Sequence, residues 1–506
     1  MTVTDPPAGP PQPGSHAPAG RLGLGPGVAP VATVVILGTA MTLLDSTIVN
    51  IALHTLTAGL HSPLGTIQWT VTAYLLAVAA VIPGTGWAAE RYGARRVYLL
   101  SVAIFGAGSA LCGLAGSAGY LIFFRAIQGI GGGMVLPVGQ IILVRRAGPQ
   151  NLPRVMSLIG VPIVLAPVFG PTVGGLIIEY ASWHWIFFVN VPVSIVTILF
   201  GRRLLPRDQG RDVGMLDFAG LLLAAGGTVA VTYGLAVIGI TGRADAWPVI
   251  VALAAGFALL AVFGVRALRV ERPVLDIRLY RQNTFAASAV TMLCIGAALY
   301  GGAILMPLYY QTVRSQSVVA TGLLLAPSGI GAAVANWLSG RLTEKIGAGL
   351  TSVLGGVVAM LATVPFGLIT AGTSYAELCA TTTVRGFGVG LTMMPAMTAA
   401  YRKLKRDQIS HATPQLSVLR QVGGSIGTAI FTVVLTGGLK DAGASHAAQA
   451  HAYGTAFWWV ITVTALATLP AVVLAVLERR ERDNLAESVH RRSLVRLLGN
   501  QERNQS

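Results

Sequence analysis

Charge is scarce in this chain, and acid is scarcer than base. Only 11% of its 506 residues are charged, with 19 carboxylates against 35 lysines and arginines. So little charge excludes a surface built to meet water, and 54% apolar residues with a mean hydropathy of +0.69 point to a surface that meets lipid. Cysteine is nearly missing. Cys112, Cys294 and Cys379 all fall inside apolar runs, as small core residues do, which argues against a disulfide framework or a metal set. No GxxxxGK[ST] phosphate loop occurs, so neither ATP nor any cofactor is expected. The eight histidines are scattered and almost all acids lie between the apolar runs, so no nucleophile, base or metal constellation converges and an enzyme is not expected. The Pro/Gly-rich start lacks the basic opening and apolar core of a secretory leader, and residues 1–28 read as a disordered cytoplasmic tail.

Apolar runs of about 20 residues, long enough at ~1.5 Å per residue to cross ~30 Å of hydrocarbon, recur from end to end. Fourteen are expected, near 30–53, 66–88, 97–116, 120–144, 155–179, 184–203, 215–238, 247–267, 284–309, 318–340, 349–371, 376–400, 411–436 and 454–477. The loops between them alternate in charge. Numbered from a cytoplasmic start, the inner loops and tail hold 29 of the 35 basic residues; Arg243, Arg314 and Lys440 lie outside, and Arg125, Arg385 and Arg420 lie within spans. That asymmetry implies a multi-pass protein of the cell membrane with both termini cytoplasmic, and it accounts for the positive charge without nucleic acid. The basic C-terminal segment, 478–506, has two readings: an amphipathic helix on anionic headgroups, or a solvated tail.

The chain repeats itself. "GWAAERYGARR" after the second span and "GRLTEKIGAGL" after the tenth share one pattern, carried by Gly86, Glu90, Arg91 and Gly93 in one and by Gly340, Glu344, Lys345 and Gly347 in the other. "RAIQGIGGGMVLP" and "RGFGVGLTMMP" each set an arginine, Arg125 or Arg385, before glycines and a proline. Two six-span halves separated by an extra pair of spans explain both offsets. The expected units are 29–205 and 283–477 for the two bundles, with 206–282 supplying two linker helices.

These motifs, in this order, resemble the major facilitator superfamily, and within it the fourteen-span drug:proton antiporters of the EmrB/QacA type. "LLDSTIVNIAL", "QWTVTAYLLAVAAVIPGTG", "APVFGPTVGGLI", "WHWIFFVNVPVS", "LMPLYYQTV", "ATGLLLAPSG" and "LRQVGGSIGTAI" extend the match to nearly everything except the tails. The resemblance implies an all-α membrane fold of two six-helix bundles plus two extra helices. It implies a gating role for the loop of Gly86, Glu90, Arg91, Gly93, Arg95 and Arg96, where a charge pair can lock the bundles in one state and break in the other. Outward pumping is implied by the antiporter motif of Gly170, Pro171, Gly174 and Gly175, whose spacing puts Gly170 and Gly174 on one helix face for close packing while Pro171 bends the helix. Two departures, His54 and His184, stand where the family has Pro and Arg; a pH-sensing gate and plain interfacial substitution both account for them.

Asp45 sits about 15 residues into the first span, near mid-membrane, where a carboxylate costs a few kcal/mol. It is expected to face a polar cavity and trade protons, with Arg125 as its partner; a structural ion pair is the other reading. A carboxylate with no route to water could not serve as a carrier. One deep acid against three deep arginines disfavours dicationic substrates, and Tyr74, Phe124, Gln128, Tyr300, Tyr309 and Met393 are candidates for a substrate cavity. The expected function is a monomeric exporter of amphipathic small molecules such as drugs or antibiotics, driven by the proton gradient. Export of one endogenous metabolite or self-made antibiotic is the alternative.

Overall fold

The computed structural model describes residues 27–443 and 445–505; the side chains of His54, Pro171 and residues 485–505 are among those outside the description. The expected N-terminal tail and any pH-sensing role of His54 therefore lie outside it.

All regular structure among the described residues is helical. The first half comprises α1 (Val28–Gly59), α2 (Leu64–Val81), α3 (Thr85–Tyr92), α4 (Ala94–Gly113), α5 (Ala118–Tyr180), α6 (His184–Phe188) and α7 (Asn190–Leu204). A 3-10 turn joins α2 to α3 at Pro83, as expected where proline removes a donor. The rod α5 contains two helices, broken at Gly148, whose φ of 68° is outside helical space. Next come α8 (Phe218–Thr241) and α9 (Trp247–Arg269), which pack as a hairpin. The second half comprises α10 (Asn283–Gly296), a π turn over Ala297–Gly301, then α11 (Gly302–Thr312), α12 (Val318–Ile346), α13 (Ala348–Gly367), α14 (Tyr375–Arg402), α15 (Ile409–Ala442) and α16 (His446–Gln505).

Side-chain caps fix several starts, since the first amides of a helix lack internal acceptors. Ser117, Asp217 and Ser317 accept from the amides of Tyr120, Gly220 and Ala320. The repeat is visible in the backbone: Gly93 (φ 88°) and Gly347 (φ 99°) make the same left-handed turn before α4 and α13. Twelve helical stretches among the described residues are long and apolar enough to cross a membrane, from Val28–Val49 to His446–Asn484. The second part of α5 and all of α14 have spanning length but are not among the twelve. The protein is a multi-pass membrane protein. Its outer faces carry apolar side chains such as Leu100, Phe257 and Leu469, suited to lipid.

The hairpin α8–α9 is not peripheral on both faces. Helix α8 lies against α2 and α15, with Tyr233 stacked on Trp69 of α2 at 6.1 Å between ring centres. The insertion therefore touches both halves.

Candidate functional site

At the middle of α1, Asp45 is fully buried and every approach to it is occupied by a donor. Arg125 of α5 gives a 2.7 Å ion pair to Oδ2, while Gln128 and Asn190 donate to Oδ1 at 2.9 and 2.8 Å. Arg125 also donates to the Gln128 side-chain oxygen at 2.7 Å and to the Thr70 carbonyl at 3.2 Å. Its guanidinium lies 4.2 Å from the centre of the Tyr74 ring. Asn190 also reaches the Ser109 hydroxyl, which donates to the Phe187 carbonyl. A buried ion pair is tolerable in such a place because both carboxylate oxygens and two of the three guanidinium nitrogens find partners; Arg125 Nη2 alone makes no hydrogen bond among the described residues.

The glycine motif of α5 holds this region in place. A side chain at Gly174 would meet Ile48 of α1 at 3.0 Å, and Gly170 faces Thr47, so the two glycines let α5 close on α1 within a turn of Asp45. Thr47 completes the contact with a 3.3 Å hydrogen bond to the Ala166 carbonyl. The close packing expected of Gly170 and Gly174 is present. Gly175 instead lines a cleft of about 570 Å3 at the far end of α5 with Thr55, Glu179 and Ser317.

A second cavity, of about 240 Å3, lies between the halves and is walled by α1, α2, α5, α8, α15 and the π turn. Tyr74 and Tyr300 line it, as do Thr42 and Ser46, which flank Asp45 along α1. Asp45 does not. The expectation of a carboxylate facing a polar cavity is corrected: Tyr74 and the donors around the acid seal it in this conformation. Four other cavity candidates also fall elsewhere. Gln128 is committed to Asp45, Met393 is packed in the central core, and Phe124 packs beside Leu121 and Tyr120. Tyr309 is buried in another cluster, where its hydroxyl donates to the Thr370 carbonyl at 2.7 Å. Apolar helices offer no periodic hint of which face is inward, so aromatic identity alone misassigned them.

At the end bearing the repeated loops, the halves are clamped by polar contacts. Glu90 accepts from Ser410 of α15 at 2.7 Å and pairs with Arg145 of its own half. In mirror fashion, Glu344 of α12 pairs with Arg154 of α5 at 2.8 Å. Arg406 donates to the Arg145 carbonyl at 3.0 Å. A side chain at Gly86 would collide with the Ser410 backbone and one at Gly340 would meet Arg154 at 3.2 Å, so each motif glycine admits the opposite half. Arg91 departs from the expectation of a charge that locks the halves. It pairs with exposed Asp212 in the segment leading to α8, and the Gly214 amide and Arg91 together hold that carboxyl below its ordinary range. Asp208 of the same segment accepts from the amides of Ala94 and Arg95, and Arg95 reaches the Arg202 carbonyl; Arg96 is exposed.

Three functional contacts escaped the sequence reading. Asn190 was visible as a lone amide inside an apolar span, a usable signal; Ser410 gave none. Arg420, noted in the sequence only as an arginine within a span, lines the cavity with its guanidinium on the Tyr300 hydroxyl. Arg385 donates to the Ala298 carbonyl at 3.3 Å. His184 stacks on Trp183 at 3.8 Å, and Glu179 and Glu377 are exposed. Among the described residues no group of acids, histidines and cysteines could hold a metal ion.

Two repeated helical halves, a cavity between them and reciprocal polar clamps at one end define a membrane transporter. The chain belongs to the Major Facilitator Superfamily, whose model matches residues 35–428. It is 37% identical over 433 residues to a multidrug resistance protein B homolog of Mycobacterium tuberculosis, covering 85% of this chain and 80% of that one. It is 30% identical over 404 residues to the multidrug export protein EmrB of Haemophilus influenzae, covering 78% of each. Among solved structures, the human organic anion transporter MFSD10 superposes with a TM-score of 0.62 at 15% identity, covering 88% of this chain and all of that one; at such identity the likeness concerns the fold.

Proposed function

We propose that this protein exports amphipathic small molecules from the cytoplasm in exchange for protons, by alternating access through fourteen membrane crossings in the cell membrane. The basic loops at the clamped end support a cytoplasmic position for it, with the open cleft of Thr55, Gly175 and Ser317 facing outside. The observation that carries the reading is a buried Asp45–Arg125 pair one side chain away from a cavity between the halves. Tyr74 is that side chain, because it both lines the cavity and covers the guanidinium.

In this conformation the acid is sealed, so the cycle requires a second one in which Tyr74 withdraws and the carboxylate meets water. A proton taken from outside then discharges Asp45, frees Arg125 and favours the state in which Glu90 and Glu344 release the opposite half. Substrate binding from the cytoplasm and proton loss to the cytoplasm complete the exchange. The multidrug names of relatives support the substrate class and the direction.

Inverted vesicles with an imposed proton gradient test the reading. The parent takes up a fluorescent amphipath only while the gradient lasts, and Asp45→Asn does not. Gradient-dependent uptake by Asp45→Asn, or failure of any thiol reagent to reach Asp45→Cys from either side of the membrane, overturns the assignment of the proton to this carboxylate.

A further inference from the structure

The central cavity has one formal charge on its wall, and it is positive. Of the described residues that line it, Arg420 is the one Asp, Glu, Lys or Arg; the rest are apolar, amide or hydroxyl side chains. Arg420 is 92% buried by area, at 8% exposure, and makes no ion pair among the described residues. Its recorded partner is the Tyr300 hydroxyl, whose ring centre lies 5.8 Å away. A buried guanidinium without a counter-ion is costly, and its planar fork of donors matches a carboxylate, sulfonate or phenolate oxygen.

The other deep arginines differ. Arg125 is neutralised by Asp45, and Arg385 points its charge at a helix carbonyl beside a void of only about 20 Å3. Arg420 borders about 240 Å3 of space. Opposite it, Leu75, Val78, Ile82 and Leu136 form an apolar wall, closed by Leu235 of α8.

We infer that this cavity selects amphipathic monoanions, the anionic head held by Arg420 and Tyr300 and the apolar body laid against α2, α5 and α8. The inference rests on the exporter reading and narrows its substrate class. Since Arg420 donates to the Tyr300 oxygen, the Tyr300 proton is free to donate to the bound anion. Asp45 takes no part in binding, so substrate and proton occupy separate sites on the two sides of Tyr74.

Pyrenebutyrate and its isosteric amide, titrated against the full chain in nanodiscs, provide the test. The parent binds the carboxylate about tenfold or more tighter than the amide, the discrimination typical of one charge-assisted contact. Arg420→Gln abolishes that ratio while leaving amide affinity unchanged, and Arg420→Lys retains part of it. Tyr300→Phe lowers carboxylate affinity several-fold, again sparing the amide, and serves as the independent variant if Arg420→Gln does not fold. Equal affinity of the parent for both compounds, or equal loss of both in Arg420→Gln, overturns the inference. Vesicle uptake separates the two claims. If the gradient moves the amide or a pyrenyl ammonium but not the carboxylate, export stands and anion selection falls; if the carboxylate binds through Arg420 yet no gradient moves it, the site stands and export falls.

Discussion

Replacing Asp45 by Asn strands the Arg125 guanidinium in a site with no exposure to solvent. Breaking one partner of such a pair costs about 3–5 kcal/mol, because the survivor keeps its desolvation and loses its counter-charge. The neighbours soften this only slightly. An asparagine oxygen can still accept from Gln128 or Asn190, but its amide nitrogen would face the Arg125 Nη1 that now donates to Oδ2. Arg125→Gln alone is expected to cost a similar amount. The pair of changes together removes both charges and leaves four neutral amides, at 45, 125, 128 and 190, able to satisfy one another. Its cost should fall to about 1–2 kcal/mol, giving a coupling of several kcal/mol across the cycle, above the usual range for neighbours. Thermal unfolding of all four proteins in one detergent reads stability, and vesicle uptake reads function. The proton-carrier argument requires the double variant to recover its stability and remain inactive. Uptake restored along with stability would reduce the pair to scaffolding, and single variants costing under about 1 kcal/mol would refute the burial argument itself.

Further outcomes follow from the clamps and the close contacts. Glu90→Gln with Glu344→Gln should weaken closure of the loop end by about 1–2 kcal/mol, and a cysteine at Gln421 in a cysteine-free background should react roughly 5–30 times faster with an impermeant maleimide from that side. Gly174→Leu drives a side chain into Ile48 and should cost about 1–3 kcal/mol and abolish uptake, whereas Gly175→Ala, on the open cleft, should leave both near parent values in the same two assays. The Asp212 tether to Arg91 should persist from neutral pH through the ordinary carboxylate range and loosen only as pH falls through its depressed pKa. Limited proteolysis between Leu205 and Phe218 should show that loss in acid for the parent, and cleavage at every pH for Asp212→Asn.

The sequence revealed what the bilayer dictates and little of what side-chain packing decides. Span length is imposed by hydrocarbon thickness, and a charge such as Asp45 or Arg125 stands out because lipid tolerates so few. The shared pattern around Gly86 and Gly340 anticipated two loops with one geometry, and Gly93 and Gly347 duly share a left-handed turn. The partners across the fold were another matter. Nothing adjacent in the chain connects Glu90 to Ser410, 320 residues away, or marks Met393 as core and Arg420 as cavity wall. Asp45 was recognised as special, yet its seclusion depends on Asn190 arriving from α7, 145 positions later.

The inserted hairpin changes how the halves can rock. Its leading segment is fastened to the first half through Asp208 and Asp212, while α8 leans on α15 of the second and supplies Leu235 to the cavity. A motion that parts α2 from α15 must therefore drag a third body, whereas the opposite seam, where α5 packs directly on α12, has none, so the machine's two flanks are unequal although its halves are repeats.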